Sequence, residues 1–326
     1  MRIGVLGLGR MGLPVARVLA GRATVAAFDP REERCRALVR AVEEAGGPAG
    51  LGIADGVPGA CAGADVLVTV LPGPGEFEAS IDAIIGALPA GALWIDLTSN
   101  DPRVLEATEG RSRSAGVALV SAPMTGGPAA AEAAALAFTV SGDADAIERA
   151  RPLLEALGAG DGGAETDATT GVGRITVAGA RIGDACTVKL LANLLWFGQV
   201  AAVTEAMLLG TSLGLEPARL HRMLADGPGA STMLSRDYPA VLRGDWMPAF
   251  GLDRVVEELE TLTSLAAHTG VPFELSEQVA RLHRQALERF GPADGELLAA
   301  RLLEERAGTP LRDPRIEVNP AETETT

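Results

Sequence analysis

The first half of the chain alternates short β-branched runs with stretches of helical pattern, and few folds accept that alternation. Residues 3–6, 24–28, 66–71, 93–96, 117–120 and 136–141 read as strands. Residues 11–20, 31–44, 76–88, 103–115 and 144–157 read as helices between them. Units of strand, helix and strand at this spacing imply a parallel sheet. The strands are apolar on both faces, as strands covered by helices on both sides must be.

The pattern changes after residue 159. Residues 160–173 are rich in Gly, Thr and Asp, have no period, and read as a loop or linker. No strand is expected beyond Asp184. Residues 185–213 form one helical pattern without proline, which at ~1.5 Å per residue spans roughly 40 Å. A helix of that length suits a connection between two domains. Pro217 opens a shorter helix, and others are expected at 231–242, 248–269, 276–290 and 295–307. The Pro-, Glu- and Thr-rich end reads as a disordered tail. The expected division is 1–180, 181–307 and a tail of 308–326, in keeping with about two domains for 326 residues.

Composition excludes several classes of protein. A formal net charge of −15 repels phosphate backbones and anionic membranes, so neither nucleic acid nor a membrane is an expected partner. The most apolar stretch, 188–213, carries Lys189, Asn193, Gln199 and Glu205, which a membrane span rarely tolerates; it reads as a buried helix. Cys35, Cys61 and Cys186 are odd in number and fit no zinc spacing, so no metal is expected. They point to a reducing cytoplasm.

Gly7-Leu8-Gly9-Arg10-Met11-Gly12 fits G-x-G-x-x-G, and it lies between an expected strand and an expected helix, where a dinucleotide fingerprint belongs. Gly7 permits the tight turn, Gly9 lets backbone approach a pyrophosphate, and Gly12 lets helix and strand pack closely. The free N–H groups at the helix start favour an anion. Asp29 ends the second strand, 22 residues after Gly7, near the ~20 expected of an acid that holds ribose hydroxyls. It favours NAD over NADP; Arg31 and Arg34, close behind, leave NADP open. A second reading of Asp29-Pro30 is a cap for the next helix.

Two further segments bear on chemistry. Ser121-Ala122-Pro123-Met124-Thr125-Gly126-Gly127-Pro128 follows a strand, which places it at the carboxyl edge of the sheet, where ligands bind. Gly126 and Gly127 expose backbone N–H groups, and Thr125 adds a donor, for a carboxylate; an ordinary turn is the plainer alternative. Lys189 and Asn193 are four apart, on one side of a helix. A lysine flanked by Val188, Leu190 and Leu191 is buried or lines a cavity, and burial readies an amine to release its proton. Hydride reduction of a carbonyl needs a proton donor beside the new alkoxide, and oxidation needs a base there. A snorkelling lysine at a helix edge is the alternative.

Taken in order, these segments resemble the β-hydroxyacid dehydrogenases, which include 3-hydroxyisobutyrate dehydrogenase and tartronate semialdehyde reductase. The resemblance runs from Met1 to about Arg306. It covers the glycine motif, Leu71-Pro72 near the nicotinamide ribose, Asp96-Leu97-Thr98-Ser99 with Pro102, the segment 122–127 as substrate loop, and Phe250 in the second half. Thr125 stands where the family usually has Ser. Lys189 matches the catalytic lysine and Asn193 the substrate-binding asparagine. The resemblance implies an α/β Rossmann-like N-terminal domain with a parallel sheet, a long linking helix, and an all-α C-terminal domain shared between the subunits of a homodimer or homotetramer. It implies hydride transfer between a nicotinamide cofactor and a small 3-hydroxy acid or its semialdehyde. Lys189 is then the general acid/base; Thr125, Gly126, Gly127 and Asn193 hold the substrate. The glycine motif, Asp29, Leu71, Pro72 and Thr98 hold NAD or NADP.

Three departures stand out. Ser121 replaces an acidic residue, and Glu257-Glu258 replaces a Lys-Asp pair. Arg254, one turn earlier, is the nearest residue to restore the lost positive charge. The stretch 160–179 is longer than the family norm. Two other readings stay open: an imine reductase-like enzyme acting on C=N bonds, which typically lacks the lysine, and a dinucleotide-binding protein without catalysis, which would have no use for a lysine in an apolar helix.

Overall fold

The computed structural model describes residues 1–47, 50–158 and 175–312. Its contacts divide the chain into two compact units, one ending at Lys189 and the other beginning at Leu190.

The first unit is built on one sheet. β1 (Arg2–Leu6) pairs in parallel with β2 (Thr24–Phe28) on one side and with β4 (Val66–Thr69) on the other. β2 pairs with β3 (Leu51–Ile53), β4 with β5 (Leu93–Asp96), and β5 with β6 (Ala118–Ser121), all in parallel. Every residue of β4 and β5 is buried, because helices cover both faces. α1 (Gly12–Ala20), α2 (Glu32–Glu44) and α7 (Ala144–Gly158) enclose one apolar cluster around Val5, Val15, Leu38 and Leu154. α3 (Val57–Cys61), α4 (Pro74–Ala87) and α5 (Pro102–Ser114) enclose the other, around Leu67, Phe77, Trp94 and Leu105. The strand order 3-2-1-4-5-6 reverses direction between β1 and β4, and in open α/β sheets ligands bind at the carboxyl ends beside such a reversal.

The sheet is not wholly parallel. β8 (Ala137–Gly142) runs antiparallel to β6 and to the two-residue β7 (Met124–Thr125). α6 (Gly127–Glu132) follows β7. β9 (Ile175–Gly179) pairs in parallel with β8, so the end of the Gly- and Thr-rich stretch is a strand. The expected loop at 160–173 lies outside the described residues. β3, α3, β7, α6 and β9 were not expected from pattern, and all are six residues or fewer. Such lengths complete neither a helical period nor a convincing alternation.

α8 (Asp184–Ser212) is a single helix of 29 residues. It is long and apolar enough to cross a membrane by length and composition, and 28% of its most apolar window is buried. The expectation of a buried helix is therefore corrected: Val188, Leu191, Leu195 and Leu209 are between 44% and 66% exposed.

The second unit is helical. α9 (Pro217–Ala225) starts with proline at its first turn and is capped by Glu216, which accepts from the Ala218 and Arg219 amides at 3.0 Å each. The single helix expected at 231–242 is instead a π-helical turn, Met233–Asp237, followed by α10 (Pro239–Arg243). Pro239 lacks the amide that would continue a regular helix. α11 (Leu252–Thr269) begins four residues later than expected, after Gly251, and ends on Gly270 in the left-handed region. α12 (Glu274–Phe290) and α13 (Leu298–Ala307) complete the unit. Its cores gather on Phe197, Val255, Leu259 and Ala299, and on Val200, Met207, Tyr238 and Leu297. The chain stays packed past Gly308: Leu311 is buried and its amide donates to Glu304 at 2.7 Å. The rest of the expected tail, 313–326, lies outside the described residues.

Candidate active site

The turn from β1 into α1 has the packing its glycines predict. Gly7 sits at φ +91°, its amide bonds the Phe28 carbonyl at 2.9 Å, and a Cβ there would strike the carbonyl of Val70. A Cβ on Gly12 would strike the carbonyl of Gly7. Gly9 differs: the nearest atom to an added Cβ is Arg34 Nη1, at 3.7 Å. The outer two glycines close the turn, and the middle one leaves its backbone open to a ligand. A cavity of about 280 Å³ lies over this loop, lined by Leu8, Gly9, Arg10, Leu13, Pro14, Arg34 and Glu132. Open backbone and two arginines at a helix start fit the pyrophosphate of a dinucleotide.

Asp29, at the end of β2, is 5% exposed. Its Oδ2 accepts the Leu8 amide at 2.8 Å and Arg34 Nη1 at 3.2 Å; its Oδ1 accepts the Arg31 amide at 2.9 Å. The carboxylate thus ties the glycine loop to β2. Arg34 is already bound to it, and Oδ1 keeps a lone pair for a ribose hydroxyl.

Further along the same edge, the ends of β4, β5 and β6 stand side by side, with Thr69 opposite Asp96 and Asp96 opposite Ser121. All three side chains are buried. Asp96 Oδ1 accepts from Thr69 Oγ1 at 2.7 Å and from the Thr98 amide at 3.3 Å; Oδ2 accepts from Asn100 Nδ2 at 3.2 Å. Trp94 Nε1 donates to Thr69 Oγ1 at 2.9 Å. Thr98 Oγ1 accepts the Leu71 amide at 3.1 Å, so Leu71 and Thr98, expected to serve one cofactor, are in contact. Pro72 follows, exposed. Burial pushes the Asp96 carboxyl up to about 6, against the lowering effect of hydrogen bonds from Thr69, Thr98 and Asn100. Ser121, where an acid was the family's habit, is sealed against Cys186, Oγ to Sγ 3.4 Å, and Cys186 reaches the Thr98 carbonyl at 3.6 Å.

The residues expected to hold the substrate follow β6. Thr125 is exposed in β7; Gly126 and Gly127 sit at φ +127° and +70°, and nothing lies within 4 Å of a Cβ on Gly127. Lys189 lies in the second turn of α8 and is half-buried, where the sequence suggested a lysine that is buried or lines a cavity, or else one that snorkels at a helix edge. Among the described residues no hydrogen bond or ion pair engages its amine. It is also the only lysine of the chain: of 28 basic side chains, 27 are arginine. A guanidinium replaces an ammonium wherever charge alone is wanted, but it does not give up its proton. The position that stays lysine is thus the one where proton exchange is the expected task.

In the second unit, Asn193 Nδ2 donates to Glu258 Oε2 at 2.7 Å, and Glu258 is 6% exposed. Sequence reasoning missed this partner. Arg254 does not stand as a spare cation: its Nη1 donates to Glu257 at 2.8 Å and its Nε lies 3.4 Å from Asp253. No group of metal-ligating side chains occurs among the described residues.

Residues 2–179 match the model of the NAD binding domain of 6-phosphogluconate dehydrogenase. Residues 183–303 match that of the NAD-binding of NADP-dependent 3-hydroxyisobutyrate dehydrogenase. The chain belongs to the β-hydroxyacid dehydrogenase family. It is 30% identical to an L-threonate dehydrogenase of Cupriavidus necator, over 84% of this chain and 86% of the relative. A solved 3-hydroxyisobutyrate dehydrogenase of Mycobacterium tuberculosis with L-serine is similar at TM-score 0.79 and 25% identity, over 93% of this chain and 98% of that one. An imine reductase of Myxococcus stipitatus with NADP+ shares the fold at TM-score 0.57 and 18% identity, over 93% and 100%. Like its family, this β-hydroxyacid dehydrogenase is an NAD(P)-dependent oxidoreductase.

Proposed function

We propose that this dehydrogenase interconverts a small 3-hydroxy acid and its semialdehyde, with Lys189 as the proton-transfer residue. The observation that carries the assignment is Lys189 itself, the single lysine in a chain that otherwise uses arginine. The relatives' names support the substrate class: L-threonate dehydrogenase and 2-(hydroxymethyl)glutarate dehydrogenase act on hydroxy acids. A bound nicotinamide supplies or accepts the hydride. Lys189 takes the hydroxyl proton in oxidation and returns it in reduction. Thr125 and the amides of Gly126 and Gly127 offer donors to a carboxylate. Asn193, one turn beyond Lys189, has one amide hydrogen committed to Glu258, which fixes its orientation and leaves its carbonyl oxygen to accept a substrate hydroxyl. Asp29 serves the ribose hydroxyls of NAD, and Arg34, next to it, allows NADP as the weaker cofactor.

The protein acts in the cytoplasm as a homodimer or homotetramer, with neither nucleic acid nor membrane as a partner. The exposed leucines of α8 and the charge of −15 support this. The domains are 1–180 for the dinucleotide and 181–307 for substrate and assembly. The imine-reducing reading shares only the fold with its structural neighbours, and Lys189 counts against it.

The test follows reduced nicotinamide by absorbance across a panel of 3-hydroxy acids and semialdehydes, with NAD and NADP in parallel. Turnover in the wild type that disappears in Lys189→Ala, while NADH still binds, is the expected result. Turnover indifferent to Lys189, or seen only with imines, overturns the assignment.

A further inference from the structure

The carboxyl edge of the first unit holds a buried carboxylate for which the proposed mechanism has no use. Asp96 is fully enclosed, and burying a charge is costly unless hydrogen bonds replace its water. Thr69 supplies one bond, Asn100 another, and the Thr98 amide a third. The bond from its amide ties the Thr98 backbone to Asp96, and the Thr98 hydroxyl oxygen receives the Leu71 amide at 3.1 Å. The orientation of Leu71 and Thr98 thus depends on the charge acceptor behind them. Thr69 is fixed in turn by Trp94, and Asn100 by the Asp101 amide, which donates to its Oδ1 at 2.9 Å. That last bond dictates which end of the Asn100 carboxamide faces Asp96: the NH2 end.

We infer that Asp96 is a positioning residue for the cofactor, holding Thr98 and through it Leu71 in their binding geometry, with Asn100 as its matched partner. This rests on the reading of Thr98 and Leu71 as cofactor-binding residues. The matching has a specific consequence. In Asp96→Asn the new NH2 group meets the NH2 of Asn100, two donors face to face, and Thr98 loses its anionic acceptor. In the exchanged pair Asp96→Asn/Asn100→Asp, residue 100 becomes an acceptor that still takes the Asp101 amide, and the pairing between 96 and 100 is restored in reverse.

The experiment measures NADH affinity by fluorescence titration, the cofactor KM and kcat at saturating cofactor, and melting temperature for each variant. Asp96→Asn is expected to weaken NADH binding about tenfold or more, as loss of a hydrogen bond to a charged group implies, with kcat within about twofold of wild type once cofactor saturates. The exchanged pair is expected to recover most of that loss. A purely structural role would lower the melting temperature without a recovery of affinity in the exchanged pair. Wild-type affinity in a folded Asp96→Asn, or an exchanged pair as weak as the single variant, overturns the inference. If Asp96→Asn does not fold, Thr69→Val takes its place: it removes one donor to Asp96 at nearly constant shape, and it too must weaken NADH without changing saturated kcat. Thr98→Val, run beside these, separates the two readings. Unchanged NADH binding there rejects Thr98 as a cofactor residue; weakened binding there with an indifferent Asp96 rejects this inference alone.

Discussion

Asp96 in the first unit and His283 in the second are both enclosed by protein, yet they are supported differently. Asp96 has hydrogen bonds from three residues, each of which is itself held. His283 has one, from Nδ1 to the Val279 carbonyl at 2.9 Å; its ring lies 5.5 Å from that of Phe197, and its Nε2 has no partner among the described residues. The first unit concentrates its buried polar groups at the carboxyl ends of its strands, where they act together. Those in the second are scattered: Glu258 takes Asn193, Glu304 takes the Leu311 amide, and His283 fills an apolar core on a single bond. Substitutions at the strand ends and at Lys189 should therefore change function first, and those among the helices should change stability first.

The strongest test of that contrast is Lys189→Arg. It keeps the positive charge and nearly the reach, but a guanidinium does not exchange its proton at neutral pH. Turnover should fall by about two to four orders of magnitude, the usual worth of a general acid/base, with NADH affinity and melting temperature near wild type. Steady-state rates and a titration decide it, and substantial activity in this variant would mean that charge alone suffices.

Next come the glycines. Gly12→Ala places a methyl against the Gly7 carbonyl and should destabilise the protein by about 1–3 kcal/mol, as overpacking does. Gly9→Ala meets only Arg34 Nη1 at 3.7 Å; it should unfold at the wild-type denaturant midpoint while binding NADH more weakly. Equal midpoints for the two variants would show that the loop yields more than its packing suggests.

The buried pair separates by pH. Burial holds the Asp96 carboxyl at about 6, above its ordinary 3.8. The folded protein keeps that proton longer than the unfolded chain. The stability this confers is complete below the ordinary value and is lost as pH rises through about 6. Burial pushes the His283 imidazole down to about 4, from 6.5. Here the unfolded chain takes the proton first, and stability is lost as pH falls from 6.5 toward 4. The two slopes oppose one another over the same range. Asp96→Asn should lose stability on acidification more steeply than wild type, and His283→Gln less steeply. Urea midpoints between pH 4 and 7 measure both.

The smallest expected effect is that of Arg254→Ala. Its guanidinium is engaged by Glu257 and Asp253 on the surface of α11, a pairing worth about 0.3–0.5 kcal/mol. Turnover and cofactor affinity should stay within about twofold, whereas a large loss would restore Arg254 as a compensating cation.

How far the sequence speaks depends on the length of its signal. The strands of the first unit and the long helix were legible because each repeats a period several times, and the glycine motif because three positions carry separate steric duties. The two-residue β7 was not legible, since it exists through pairing with β8, beyond an intervening helix in the sequence. The break at Pro239 was present as a letter but was overridden by the apolar periodicity around it. At the candidate site, Asn193 and Thr98 could be named, but the side chains that bond them could not. That Glu258 meets Asn193 depends on how α8 and α11 pack, and that Asp96 gathers Thr69, Thr98 and Asn100 depends on strand register. One signal needed no structure: a single lysine among 28 basic side chains.

That solitary lysine has a practical consequence. Apart from the chain's α-amino group, this enzyme offers amine-directed reagents one target, and it is the proposed proton-transfer residue. Coupling to an aldehyde resin, glycation by reducing sugars or acylation by an activated ester would therefore silence the enzyme rather than decorate it. Attachment through the 43 acidic side chains is the route that leaves Lys189 unmodified.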